Sequence, residues 1–125
     1  MSANDEPGAA FDPTCLFCRI AAGEIPARRA HEDDLVIAID DINPVAPIHQ
    51  LVMPRAHIGS AADLGEGHAA LLGRLFAVAA TLAREAGLEE RGFRLVTNVG
   101  ADAGQSVPHL HIHLLGGRSL SWPPG

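Results

Sequence analysis

His109-Leu110-His111-Ile112-His113-Leu114-Leu115 decides how the rest of this chain is read. In an extended segment successive side chains point to opposite faces, so the spacing i, i+2, i+4 places His109, His111 and His113 on one surface. Leu110, Ile112 and Leu114 then turn toward a core. A lone histidine on an apolar strand reads most simply as a satisfied structural residue. Three in alternation are costly to bury without a use, and they point to metal binding or catalysis. Imidazole suits either task, because near neutral pH it can be a ligand, a nucleophile, an acid or a base.

Working outward, this stretch reads as a last strand over 109–115, closed by Gly116-Gly117. A Gly-bearing loop over 99–107 precedes it, and Phe93 opens a further strand over 93–98. Upstream, 63–86 is rich in Ala and Leu, with Leu71, Leu72, Leu75, Val78, Ala79 and Leu82 at helical spacing and Gly87 as the residue just past the end. Strands are expected over 28–31, 35–40 and 48–53, parted by the polar turn 32–34 and the breaker Asn43-Pro44-Val45-Ala46-Pro47. A short helix over 15–22 is expected to be capped by Thr14 and stopped by Gly23 and Pro26. Residues 1–13 mix Ser, Asn, Asp, Glu, Pro and Gly and read as a disordered leader, so that the folded domain spans 14–125. The expected fold class is α+β: a five-stranded, mostly antiparallel sheet with one long and one short helix on one face.

Composition narrows the chemistry. The chain has 125 residues, 47% of them hydrophobic, which suits one domain with a real core. Its net charge is −6 and its nine basic residues are scattered apart from Arg28-Arg29, so no footprint for a nucleic-acid polymer is visible. All nine are arginines; without lysine there is no Walker-type phosphate loop, and a bound phosphate needs other donors. Asn98, Ser106 and the glycines of 100–104 can supply them, although such a loop taken alone reads as a turn. No secretory segment and no apolar run of about 18 residues is seen, so a cytoplasmic location with no membrane contact is expected. Cys15 and Cys18, the only cysteines, form a CxxC pair that in a reducing compartment suggests metal or redox chemistry.

The segment 109–115 resembles the signature of the histidine-triad (HIT) superfamily, His-φ-His-φ-His-φ-φ with φ apolar. Gly104-Gln105-Ser106-Val107, Gly116-Gly117-Arg118 and Trp122-Pro123-Pro124-Gly125 are similar to its Hint branch. Cys15-Leu16-Phe17-Cys18, Gly23-Glu24-Ile25-Pro26-Ala27, Asp41-Ile42-Asn43-Pro44, Ala46-Pro47 and His49 extend the likeness over nearly all the chain from Thr14. The departures are Pro108, where relatives often carry an aromatic residue, and Arg55-Ala56, in place of a basic pair.

The resemblance implies a nucleotide-binding hydrolase that cleaves purine nucleoside phosphoramidates, and acyl-nucleotide conjugates such as aminoacyl-AMP, to the nucleoside monophosphate. On it His111 is the nucleophile that carries a covalent nucleotidyl group, His113 contacts phosphate and protonates the leaving group, Ser106 lies near the leaving atom, and His49 stands behind the nucleophile. Asp41 would meet the ribose and Asn98 the phosphate or ribose, with Gly104, Gln105, Ser106 and Val107 along the nucleotide. Leu16, Phe17, Ile20, Ile39 and Ile42 would surround the base. Catalysis would need no cofactor; Cys15, Cys18, His57 and His109 would hold a structural zinc, as in some bacterial relatives. A homodimer with a continuous ten-stranded sheet is implied, with Trp122 reaching the partner's site. Alternative functions are a dinucleoside polyphosphate hydrolase and a nucleotide- or zinc-binding regulatory module with vestigial activity. His31 and His68 match no role and are expected to be solvated.

Overall fold

The computed structural model describes residues 10–125. Five strands, β1 (Arg29–Glu32), β2 (Val36–Asp40), β3 (Ile48–Pro54), β4 (Phe93–Val96) and β5 (Ile112–Gly116), form one antiparallel sheet in the order β1-β2-β3-β5-β4. Two helices, α1 (Leu16–Ala21) and α2 (Ala69–Glu85), complete the α+β fold. β5 therefore runs inside the sheet, with Leu51 of β3 and Val96 of β4 both in register with His113.

The helices lie on opposite faces of the sheet, not on one. The cause is in β2, where Val36, Ile37, Ala38 and Ile39 are all buried, so both faces of the strand need an apolar cover. Val36, Ala38 and Val52 pack with Leu75, Val78, Ala79 and Leu82 of α2, and with Leu110, Ile112 and Leu114. Ile37, Ile39, Leu51 and Met53 pack with Phe17 and Ile20 of α1. The three histidines leave the α2 core to their leucine and isoleucine neighbours, as the alternation requires.

Beyond one-residue shifts at the ends of α1, β1, β2 and β3, the structure departs from the sequence reading at four points. The expected helix over 63–86 is an α-helix only from Ala69; Ala61–Asp63 and Glu66–His68 are separate 3-10 turns, split around Gly65, whose backbone freedom disfavours helix. Its far end is as expected: the Gly87 N–H bonds the Arg84 carbonyl at 3.0 Å with φ +74°. Thr14 does not cap α1. The cap is Cys15, whose Sγ accepts from the Cys18 N–H at 3.3 Å, while Thr14 gives both its N–H and its hydroxyl to Asp12. β5 begins at Ile112 because the backbone before it is diverted, His109 N bonding Val107 O and Leu110 N bonding Ile58 O. β4 stops at Val96, after which the Thr97 hydroxyl donates to His111 O.

Of the leader expected over 1–13, residues 1–9 lie outside the described residues. The remainder is tied to the fold: the Ala10 carbonyl accepts from His57 N at 3.1 Å and the Asp12 carbonyl from Cys15 N at 3.0 Å. His31 and His68 also have partners. His31 Nε2 is 2.6 Å from Asp33 Oδ2, and His68 Nδ1 accepts from Gly65 N. Arg55, in the departing pair, donates to the Asp33 and Ala21 carbonyls and so joins the β1–β2 turn to the end of α1. Among the described residues no helix is long and apolar enough to cross a membrane.

At the exit of β5 the chain must pass close to the 43–47 loop. Gly117 adopts φ +92°, and a Cβ there would lie 2.8 Å from Pro47 Cβ. Gly117→Ala is therefore expected to cost about 1–3 kcal/mol from backbone strain and the clash together. Urea unfolding should show the midpoint lowered with an unchanged slope; an unchanged midpoint would show that the loop yields freely.

Candidate active site

The chemistry-bearing residues converge because β3 and β5 are neighbours and α1 covers the same face. A cavity of about 310 Å³ opens between α1, the turn after β2 and the segment before the triad. Leu16, Phe17, Ile20, Ile39 and Ile42 supply apolar wall, with Asp41, Ser106, Val107, His111 and His113 also on its lining. Ile42, at 90% exposure, forms the lip.

His111 is buried, with the Phe17 ring edge-on at 5.0 Å. Its Nδ1 lies 2.6 Å from the His109 carbonyl, an acceptor, so Nδ1 carries the proton and Nε2 keeps a lone pair. Burial holds its pKa below the ordinary value, against the hydrogen bond to His109 O, which raises it. A neutral imidazole with an available Nε2 lone pair is the state in which histidine attacks an electrophile.

The second imidazole pair is fixed by a chain of donors. Val45 N–H donates to His49 Nδ1 at 3.1 Å, which leaves the proton of neutral His49 on Nε2. That nitrogen is 2.9 Å from His113 Nδ1 and 3.3 Å from Asp41 Oδ2. His113 Nδ1 then accepts, and its proton is on Nε2. His49 thus stands behind His113, not behind His111; the backbone carbonyl two residues upstream has taken the orienting role at His111. Asp41 Oδ1 meanwhile accepts from Asn43 N at 2.8 Å, closing the turn that follows β2.

Three residues expected along the nucleotide do not line the cavity: Asn98, Gly104 and Gln105. Gln105 is committed elsewhere. Its amide NH₂ donates to the Gly59 and Val107 carbonyls and its oxygen accepts from Gly100 N, so it shapes the loop that presents Ser106. The reading missed Ile25, Pro26, Ala27, Asp40, Asn43 and Leu51 of the lining. Leu51 could have been found from His49 two residues before it, on the same strand face. Trp122 is 80% exposed, apart from this chain's cavity, with the Arg94 guanidinium 6.0 Å above its ring. Two further clefts, one among Arg91, Arg94 and Arg118 and one behind His49, have comparable volume but hold neither His111 nor His113.

Burial pushes His113 down to about 4, helped by the neighbouring His111 and His49 and opposed by Asp41. The unfolded chain, with an ordinary histidine near 6.5, binds more protons over that window, so stability falls as pH drops from about 6.5 toward 4. The melting temperature should decline between pH 7 and pH 5, and His113→Gln should flatten the decline. A melting temperature independent of pH there would contradict the assignment.

Cys15, Cys18, His57 and His109 form a second cluster beneath the first. Their ligand atoms lie within 4.8 Å of one another. Cys15 Sγ is 3.3 Å and Cys18 Sγ 3.6 Å from His109 Nδ1, and Cys18 Sγ is 3.3 Å from His57 Nδ1. Tetrahedral zinc with ordinary bond lengths sets sulfur–nitrogen edges of about 3.5 Å, so the donor set fits the ion in type and in spacing. His109 Nε2–H donates to Pro54 O at 2.8 Å, which turns the Nδ1 lone pair toward the thiols. Burial pushes the Cys18 thiol up to about 11, so a thiolate there needs a cation beside it. Both cysteines are free of disulfide.

The HIT domain profile matches residues 22–120. The chain belongs to the HIT family. This HIT protein is 49% identical over 110 residues to an "Uncharacterized HIT-like protein" of Synechococcus elongatus, covering 88% of the chain and 96% of the relative. It is 45% identical over 116 residues to the "14 kDa zinc-binding protein" of Zea mays, covering 91% of the chain and 90% of that protein. Among solved structures, a HIT family hydrolase from Legionella pneumophila superposes with a TM-score of 0.88 at 48% identity, covering 90% of the chain and 100% of that structure.

Proposed function

We propose that this HIT protein hydrolyses purine nucleoside phosphoramidates, and acyl-nucleotide conjugates such as aminoacyl-AMP, through a nucleotidyl group carried on His111. The observation that carries the reading is the complementary protonation of two adjacent imidazoles. His111 Nε2 holds a lone pair because Nδ1 is bonded to the His109 carbonyl, and His113 Nε2 holds a proton because its Nδ1 is bonded to His49. In the first step His111 Nε2 bonds to the α-phosphorus and the P–N bond breaks; the leaving nitrogen takes its electron pair and the His113 Nε2 proton. In the second, water attacks phosphorus, gives a proton back to His113, and His111 leaves with the pair it donated. The products are the nucleoside monophosphate and an amine.

The apolar walls from Leu16 to Ile42 suit a purine, and we read Asp41 and Ser106, both on the lining, as meeting the ribose hydroxyls and lying near the leaving atom. The Legionella relative's name, a hydrolase, supports the reaction class. We read the Cys15, Cys18, His57, His109 cluster as a structural zinc site, supported by its donor set and by the zinc-binding name of the maize relative. Zinc there would neutralise the thiolates and tie α1 to the residue before the nucleophile, leaving His111 and His113 free for chemistry. β4 is an edge strand whose Phe93 is partly exposed, and we read it as the seam of a homodimer with a ten-stranded sheet, in which Trp122 approaches the partner's cavity. The reading places this activity in the cytoplasm.

The test is incubation of a fluorogenic adenosine phosphoramidate with the protein, followed by acid-free quenching and intact-mass analysis. Turnover together with a transient adenylyl adduct mapping to His111 is expected. Nucleotide binding with neither turnover nor adduct would replace this reading by a binding regulator.

A further inference from the structure

The Gly116-Gly117-Arg118 segment takes no part in the cavity, yet it touches the donor chain that sets the two catalytic imidazoles. Arg118 Nε and Nη2 both donate to the Val45 carbonyl, at 3.1 and 2.9 Å, and Nη1 donates to the Ser119 carbonyl at 2.9 Å. Val45 is the same residue whose N–H donates to His49 Nδ1. We infer that Arg118 is a positioning residue: by clamping Val45 it fixes the tautomer of His49, and through His49 the nitrogen on which His113 carries its proton. The inference rests on the hydrolase reading only where turnover is measured.

The loop needs such a clamp. Pro44 and Pro47 have no N–H, and Val45 between them is largely exposed. The loop's near end is held by Asn43 N on Asp41 Oδ1. At its centre Val45 is held at both backbone groups, the carbonyl by the guanidinium fork and the N–H by His49. A guanidinium gives two donors to one oxygen with little freedom to rotate, which an ammonium does not. Gly117 makes the clamp reachable, because its conformation and its missing Cβ let the β5 exit press on Pro47 and carry Arg118 to Val45.

The protonation logic follows from the donors. While Val45 N–H points at His49 Nδ1, a proton on that nitrogen would face another donor, so neutral His49 keeps its proton on Nε2. If Val45 drifts, water can meet His49 Nδ1, only Asp41 Oδ2 at 3.3 Å still favours a proton on Nε2, and the imidazole can populate the other tautomer. His49 Nε2 then accepts from His113 Nδ1, the direction of the chain reverses, and His113 Nε2 has no proton for the leaving group. The charged and titratable groups facing His113 are His49, His111 and Asp41, and none of them is altered by a change at Arg118.

Long-range proton–nitrogen NMR of the ¹⁵N-labelled full chain, without ligand at pH 7.5, reads the tautomers directly. The wild type should show His49 and His113 as single Nε2–H tautomers. Arg118→Met should show mixed tautomers at both, with Arg118→Lys between the two. Single Nε2–H tautomers in a folded Arg118→Met protein would overturn the inference; if that variant does not fold, the same outcome in Arg118→Lys, with its fork removed, decides it. The kinetic arm compares leaving groups. With general acids contributing about 10²–10⁴-fold, Arg118→Met should lower kcat about tenfold on an alkylamine phosphoramidate with KM nearly constant. A nitrophenyl nucleotide ester, whose leaving group needs no proton, should change less than about threefold. Equal losses on both substrates would mean a general structural role and overturn the inference. The tautomer measurement needs no substrate, so failure of the hydrolase reading and failure of the clamp give different results.

Discussion

His111→Gly is expected to lose about four orders of magnitude in kcat/KM on an adenosine phosphoramidate, or roughly 5.5 kcal/mol of transition-state stabilisation. The loss is large because, on the proposed mechanism, the bond from Nε2 to phosphorus is the first chemical event and the neighbouring groups offer no equivalent lone pair. His113 presents its protonated nitrogen, and Ser106 has no base assigned to activate it. KM should change far less, because Leu16, Ile20, Ile39 and Asp41 still form the site. Removing a buried ring from beneath Phe17 also costs stability, so a thermal melt must accompany the kinetics. The loss belongs to chemistry if the variant is folded at the assay temperature and still binds the nucleoside monophosphate. Retention of a tenth or more of the wild-type activity would place the nucleophile elsewhere.

Purified protein is expected to carry about one zinc per chain, and stripping it or replacing Cys18 by Ala should lower the melting temperature by about 10 °C or more. α1 has six residues, too few to persist alone, and it depends on burial of Phe17, Cys18 and Ile20 and on what its cysteines hold. Structural zinc would tie such a segment with binding energy that is forfeited on unfolding; a loss of about 3 kcal/mol in a chain of this size corresponds to that shift. Amide exchange should quicken across 16–21 before the sheet is affected. Elemental analysis and a melt with and without chelator decide the matter. Absence of metal together with an unchanged melt would reduce the cluster to thiol–imidazole hydrogen bonds.

What was legible in the sequence was periodic or carried by a motif. The triad's facing is observed even though the ladder starts only at Ile112, because alternation of side chains belongs to any extended chain and does not need a paired strand. Apolar periodicity likewise found α2 and the closing Gly87, but could not tell a helix from 3-10 turns across Gly65. The second cover of the sheet was written in the unbroken run 36–39, where consecutive residues of both parities are apolar. A window over one strand says that both faces are buried without naming the helix on each. Least legible were competitions between short-range donors. Thr14 lost the cap to Cys15 because Asp12 claimed it, Gln105 was taken up by loop carbonyls, and His49 met His113 because strand register places Leu51 opposite that residue. The last two depend on contacts far apart in sequence, Gln105 with Gly59 and His49 with His113, whereas the cap was decided by a residue two positions from Thr14.

The bond that orients His111 ends on the main chain of His109, whereas the proposed zinc site uses that residue's side chain. Every amino acid has a carbonyl there. A lineage could therefore exchange the cysteines and imidazoles of the lower cluster for packed apolar residues and still aim the attacking nitrogen, provided the local backbone path is kept. The architecture separates the side chains of the proposed zinc site from the backbone bond on which the proposed reaction depends.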